Sequence, residues 1–323
     1  MKAIKENKYS IFLIIGVLLL VSILPLLVNL PFVLHVLIST LMYIGFALSY
    51  DIVTGQIGAV SLAHASFFGL GAYVTALIGK AIGAPFWLNI IIATILSIGL
   101  AIVMSLPAFR LSDLSFSFAT LGLALTVQLV VKNWVKITRG PMCIHNVSNS
   151  SLWFNGILEI SRTNLIAYFY LFLMVDIVII ILYRLISTGR LGRTLTAVRN
   201  DEVLASSVGI NIQRYKRLTF FISAGIAGAI GSLWAPYISV VCPDYLSMDY
   251  TLNLLAIVFI GGSGSLLGVV GGSILLTVWP ELLRVTPAFR LIIYGLFLLI
   301  FVTSIPNGVK GIISNVNKRL KIN

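Results

Sequence analysis

The chain has 323 residues, of which 59% are hydrophobic and 10% charged, with a formal net charge of +12. An ordinary soluble domain is about a quarter charged. A chain with so few polar residues to cover its surface is excluded from the soluble class, and its solvent is a bilayer. The basic excess does not point to nucleic acid, because the 22 Lys and Arg sit mainly in short segments between apolar runs, where membrane topology accounts for them.

Lys2, Lys5 and Lys8 precede an apolar run at 11–30. The run is longer than the h-region of a signal peptide, and no alanine between Ala3 and Ala47 offers a cleavage site, so it is expected to be retained as the first spanning helix. Further apolar segments of about spanning length follow at 32–50, 61–79, 86–109, 114–131, 165–186, 218–240, 251–262, 266–283 and 289–305. The eighth and ninth form one stretch broken by Gly261, Gly262 and Gly264, which reads either as two shortened helices or as one long segment. With ten spans both termini share a side that carries 15 basic residues against seven on the other, and this excess marks the cytoplasmic face. Merging the eighth and ninth would send the basic C-terminus outside, so ten are kept. The expectation is an all-α polytopic membrane protein, one unit over 1–323, with both termini cytoplasmic.

Within this frame, taken in chain order, several segments have the means to act. Ser61, Ala65 and Gly69 recur at spacing four and form a small-residue face. Such faces let helices approach closely in lipid. The alternative is that 54–58, with Gly55 and Gly58, is broken backbone lining a path, since irregular backbone at membrane depth must be buried or face water. His64 lies beside the same face and reads as a hydrogen-bond partner of a neighbouring helix or as a contact in the path. An outer loop at 132–164 carries Trp134, Trp153 and Phe154, which suit an interface or a docking surface. Its sequons at Asn146 and Asn149 read as chance matches.

Asp176 sits in the middle of an apolar span and is expected to face the bundle interior, partnered or protonated. The inner loop at 187–217 is basic: Leu191, Leu195 and Val198 recur at helical spacing, Asn200 and Asp201 supply capping chemistry for a second short helix, and Gly209 can end it. A short helix stopped by glycine suits insertion into a groove on a soluble partner, while a basic loop resting on anionic headgroups explains the same composition. The topology places Cys143 and Cys242 outside, where a disulfide is possible and would tie the outer loop to the exit of the seventh span. Gly264, Gly268 and Gly272 repeat the spacing-four pattern, with Gly261, Gly262 and Gly264 as the second candidate break, and the likeness of the two glycine-rich segments hints at an internal duplication.

Residues 192–211, GRTLTAVRNDEVLASSVGIN, resemble the coupling loop of branched-chain amino acid importer permeases, the Liv family. Residues 55–73, GQIGAVSLAHASFFGLGAY, and 259–268, FIGGSGSLLG, are similar to that family's early and late glycine-rich signatures. The resemblance runs from about residue 47 to 284. It implies a permease subunit working by alternating access beside a second permease, two cytoplasmic ATPases and an extracytoplasmic binding protein in the bacterial inner membrane. The ATPases would dock on the inner loop, with Arg193, Arg199, Asp201, Glu202, Ala205 and Gly209 as the positions concerned, although the strict Glu-Ala-Ala triplet of the importer motif is absent. The family usually reads Thr-Gly-Gly-Pro-x-Gly-Ile where this chain has 138–144, TRGPMCI, so Arg139 and Cys143 replace two of three glycines.

The chain lacks a phosphate loop, a His-Glu-x-x-His, a Cys-x-x-Cys and a Gly-x-Ser-x-Gly. No catalytic residue, metal site or cofactor is expected in it, and ATP would be bound by partner subunits. Two rivals remain open: a related permease for urea, amides, sugars or nucleosides, and a secondary transporter driven through Asp176.

Overall fold

The computed structural model describes residues 30–82, 85–109, 111, 113–147 and 164–282, and the single positions 25, 295, 296 and 311. The expected first and tenth spans lie almost wholly outside these residues, as do Arg110 and the basic C-terminal segment.

Eleven α-helices are assigned among the described residues: α1 Pro31–Thr54, α2 His64–Ile82, α3 Phe86–Ala108, α4 Asp113–Asn133, α5 Val135–Thr138, α6 Leu165–Thr188, α7 Arg190–Asn200, α8 Glu202–Ser207, α9 Ile212–Ile238, α10 Met248–Gly261 and α11 Leu266–Leu282. Five of them, α1, α3, α4, α6 and α9, are long and apolar enough to cross a membrane. The chain is thus a mostly helical polytopic membrane protein. α2 is packed on α9 and α3, with Phe68 stacked at 4.7 Å on Phe46 of α1. The eighth and ninth apolar segments form two helices, α10 and α11, separated at 262–265.

α9 is the central helix and packs on α1, α2 and α3, while α1 also packs on α6, α10 and α11. Burial follows this layout, with 78% of the spanning window of α9 covered against 17% of that of α4. The outward faces of α3, α4 and α6 present Ile95, Val103, Phe118, Leu129 and Met174. In water such a surface would be an aggregation liability, whereas in lipid it is the ordinary one. An apolar cleft of about 910 Å³ opens between α3, α6 and α9.

Glycines set the closest helix approaches. A Cβ on Gly231 of α9 would fall on the Phe68 carbonyl of α2, and one on Gly261 would lie 2.5 Å from the Gly268 carbonyl where α10 meets α11. The small-residue reading therefore holds for Gly268 and Gly272, while Ser61 and Gly264 lie outside helices and Gly69 faces Leu246.

Two expectations need correction. α9 begins at Ile212 rather than 218, because Asn211 caps it by accepting from the Arg214 N–H at 3.1 Å, and its polar first turns mask a helix to a hydropathy pattern. The fold is also not wholly helical, since β1 Ile144–His145 pairs antiparallel with β2 Val240–Val241.

Candidate functional site

α1 gives way at Gly55 to irregular backbone that lasts until α2 starts at His64. Non-helical backbone at membrane depth needs protein partners, and α4 supplies them: Ser117 Oγ donates to the Val60 carbonyl at 2.7 Å, and Thr120 Oγ1 accepts from the Leu62 N–H at 3.1 Å. Thr251 Oγ1 of α10 accepts from the Ala65 N–H at 3.2 Å, in the first turn of α2. The second break has Gly262 at φ +95 and Gly264 at φ +75, conformations that favour glycine.

The two breaks meet. The Gly264 N–H donates to both carboxylate oxygens of Asp51, at 2.9 and 3.2 Å. A Cβ on Gly55 would collide with that carboxylate and lie 2.5 Å from the Gly264 nitrogen, and one on Gly264 would lie 3.1 Å from the Gly55 carbonyl. Glycine is thus required at 55 by close contact and favoured at 264 by its φ of +75 and the tight fit against Gly55, and the two signatures act as one feature.

Asp51 organises the junction. It is fully buried, and besides Gly264 it accepts from the Tyr183 hydroxyl of α6 at 2.5 Å, while Gln56 Nε2 donates to the same hydroxyl at 3.3 Å. A carboxylate at this depth persists only when several donors converge on it. Sequence reading passed over Asp51 because the expected span ended at Tyr50, which made the acid a loop residue. The usable signal was an acidic residue one helical turn before a glycine break.

The loop between α6 and α9 forms two helices, α7 and α8, where the spacing placed them. Leu195 and Val198 seat α7 on the bundle at 1% and 0% exposure. Arg199 projects from the end of α7, donates Nη1 to the Gly55 carbonyl, covers Gly58 with its stem, and brings Nη1 to 3.2 Å from a Cβ built on Gly264. One side chain of the loop therefore bonds to the first break and lies beside the second. Asp201 caps α8 by accepting from the Leu204 N–H at 2.9 Å. Gly209, at φ +83, closes it: its N–H donates to Ser206 O and the Ile210 N–H to Ala205 O, a Schellman pair. Ala205 is buried, and Glu202 pairs with Lys216 of α9 at 2.5 Å. Arg193 Nη1 turns back to the Thr188 carbonyl at 3.4 Å. Most of the singled-out side chains therefore hold the loop together. Among exposed charged and polar neighbours such as Arg193, Asp201 and Ser207, α8 and its end present an apolar ridge, with Val203 79%, Leu204 65% and Val208 71% exposed, and residue type alone did not flag these three.

His64 and Asp176 lie apart from the junction's polar contacts. His64 Nε2 is 2.7 Å from Ser223 Oγ of α9, and that hydroxyl donates to the Ser49 carbonyl at 2.6 Å, so the imidazole N–H is the donor and ties α2 to α9 and α1. Asp176 faces the bundle interior on α6, where a Cβ on Gly45 would lie 2.6 Å from its Oδ1. Among the described residues its Oδ2 has no hydrogen-bond partner.

The end of α9 remote from the α7–α8 loop is crosslinked. Cys143 and Cys242 form a disulfide with Cα atoms 4.4 Å apart, beside the β1–β2 pair. The three positions where the Liv pattern has glycine, Arg139, Gly140 and Cys143, all have positive φ, at 61, 54 and 56. Two of them here carry side chains in a region that L residues avoid.

The chain matches the family described as Branched-chain amino acid transport system / permease component over residues 32–302. It is 30% identical to the high-affinity branched-chain amino acid transport system permease protein LivM of Escherichia coli K12 over 292 residues, 84% of this chain and 68% of that protein. Identity to LivM of Salmonella typhimurium is 28% over the same shares, and to LivH of that organism 26%, covering 83% of this chain and 91% of LivH. No solved structure matches. By this match over most of its length, the chain that carries these paired glycine breaks belongs to the permease-component family of branched-chain amino acid transport systems.

Proposed function

We propose that this chain is the membrane-spanning subunit of an ATP-driven importer that moves branched-chain amino acids across a bacterial inner membrane by alternating access. The observation that carries the reading is the α7–α8 loop, which offers an exposed apolar ridge at Val203, Leu204 and Val208 while Arg199 reaches from its other side to both breaks. A ridge of this kind fits a groove on a soluble partner better than it fits headgroups, which favour basic side chains.

In this reading ten helices span the bilayer with both termini and the α7–α8 loop in the cytoplasm. Two separate ATPase subunits bind ATP and dock on the loop, a second permease completes the path, and an extracytoplasmic binding protein delivers the solute at the disulfide end. The chain supplies path and coupling, with no catalytic residue, cofactor or nucleic acid of its own. The names of its relatives support the substrate class.

Reconstitution in proteoliposomes with the ATPase and binding-protein partners tests this. Leucine uptake should require internal or external ATP on the loop side, together with loaded binding protein. Uptake that follows a proton gradient and ignores ATP would overturn it in favour of an ion-coupled carrier using Asp176.

A further inference from the structure

The junction contains an ordered stack of charges that the transport reading leaves without a role. Arg199 lies on one side, on an element outside the bundle, and donates to the Gly55 carbonyl. In the middle are the backbones of Gly55 and Gly264, with no room for a Cβ at Gly55 and little at Gly264. On the far side is the buried Asp51 carboxylate, which accepts from the Gly264 N–H at 2.9 Å and from Tyr183 Oη at 2.5 Å. The two breaks are thus held between a cation on the loop and an anion in the bundle.

We infer that Asp51, Tyr183 and Arg199 are positioning residues that latch the two glycine breaks together, and that withdrawing Arg199 with the α7–α8 loop releases the pair. This rests on the importer reading above and assigns the step at which loop movement reaches the path. A carboxylate out of water is tolerated in proportion to the donors and positive charge around it. The Arg199 guanidinium offsets that cost from beyond Gly55 and satisfies the Gly55 carbonyl. When α7 moves away, the carbonyl loses a charged donor and Asp51 loses the nearby cation, so the hold of α1 on 262–265 weakens. Tyr183 keeps Asp51 aimed at Gly264 and fastens the latch to α6, which leads directly into α7 through Gly189. The sequence therefore runs from loop to latch to break, through contacts that each exist in the structure.

The test uses the complete transporter in proteoliposomes, with Arg199→Gln, Arg199→Lys, Tyr183→Phe and the parent. Three readouts are taken: ATPase subunit recovered with the chain, solute moved per ATP hydrolysed, and the rate at which a Ser263→Cys thiol reacts with a charged maleimide. A charge-assisted hydrogen bond is worth enough for a roughly tenfold effect. Arg199→Gln should keep the ATPase and lower transport per ATP by about tenfold, with Ser263→Cys labelled several-fold faster. Arg199→Lys should restore much of the coupling, because an ammonium still donates and carries the charge, and Tyr183→Phe should uncouple in the same direction. Parent values of both coupling and labelling in Arg199→Gln and Tyr183→Phe would overturn the latch. So would loss of the ATPase in Arg199→Gln with labelling unchanged, which would make Arg199 a docking residue. Failure of the importer reading shows separately, as a parent that moves no solute with ATP.

Discussion

A methyl group is enough to test the meeting of the two breaks. At Gly55 it would strike the Asp51 carboxylate and lie 2.5 Å from the Gly264 nitrogen, so Gly55→Ala must push α1 away from residues 262–265. Overpacking of this kind costs about 1–3 kcal/mol, and a lower thermal midpoint in detergent together with reduced uptake is expected. Arg139 presents the opposite case. It occupies φ 61 as the left-handed residue that ends α5, a conformation costing a side chain about 1 kcal/mol or more, and glycine stands at the matching position of the Liv pattern. Arg139→Gly should therefore raise the thermal midpoint, by up to about 1 kcal/mol in stability. An unchanged or lower midpoint would show that the Arg139 side chain contributes more than its backbone costs. Cys143, at φ 56 and ψ 163, lies in a different region that glycine dominates, and its bond to Cys242 ties it there.

At the scale of elements, α8 separates two roles that its sequence runs together. Glu202 points to Lys216, and because Glu202 is 45% exposed the pair contributes little more than about 1 kcal/mol. Val203 and Leu204 point outward. Val203→Asp should leave the chain folded and abolish recovery of the ATPase subunit in a pull-down. Glu202→Arg places like charges against Lys216 and should loosen α8 from α9 while only weakening that recovery. Equal behaviour of the two variants would mean that α8 is not the docked element. The existence of α7 and α8 was legible from Leu191, Leu195 and Val198 and from the cap at Asp201, because these signals are local. The direction each side chain takes was not, because it depends on where α9 and the breaks lie in three dimensions. The same limit applies to Asp51. Its place one turn before a glycine break is a local signal, but its partners Tyr183 and Gly264 are 132 and 213 residues away, and nothing local says that they converge on it.

Over the whole molecule, α9 fixes which features share a face of the membrane. Its 27 residues rise about 40 Å at 1.5 Å each, enough to cross the hydrocarbon. The α7–α8 loop precedes its first residue, and Cys242 follows its last by a short strand. With α9 as a span, the loop and the disulfide lie on opposite sides, whichever way the chain is inserted. In the proposed ten-span reading the count of 15 basic residues against seven orients the loop inward, and the Cys143–Cys242 disulfide is compatible with that reading, because disulfides persist outside the reducing cytosol. In sealed right-side-out vesicles a membrane-impermeant phosphine should reduce the disulfide, while a Val203→Cys thiol should resist a charged maleimide until the vesicles are inverted. The reverse pattern would overturn the orientation, and with it the assignment of the ATPase to this loop. The crosslink joins positions 99 residues apart. The Cys143→Ser, Cys242→Ser double variant should accordingly lose about 2–4 kcal/mol of stability, seen as a lower thermal midpoint. Its transport per ATP should stay at the parent value, because the latch and the docking ridge lie at the other end of α9.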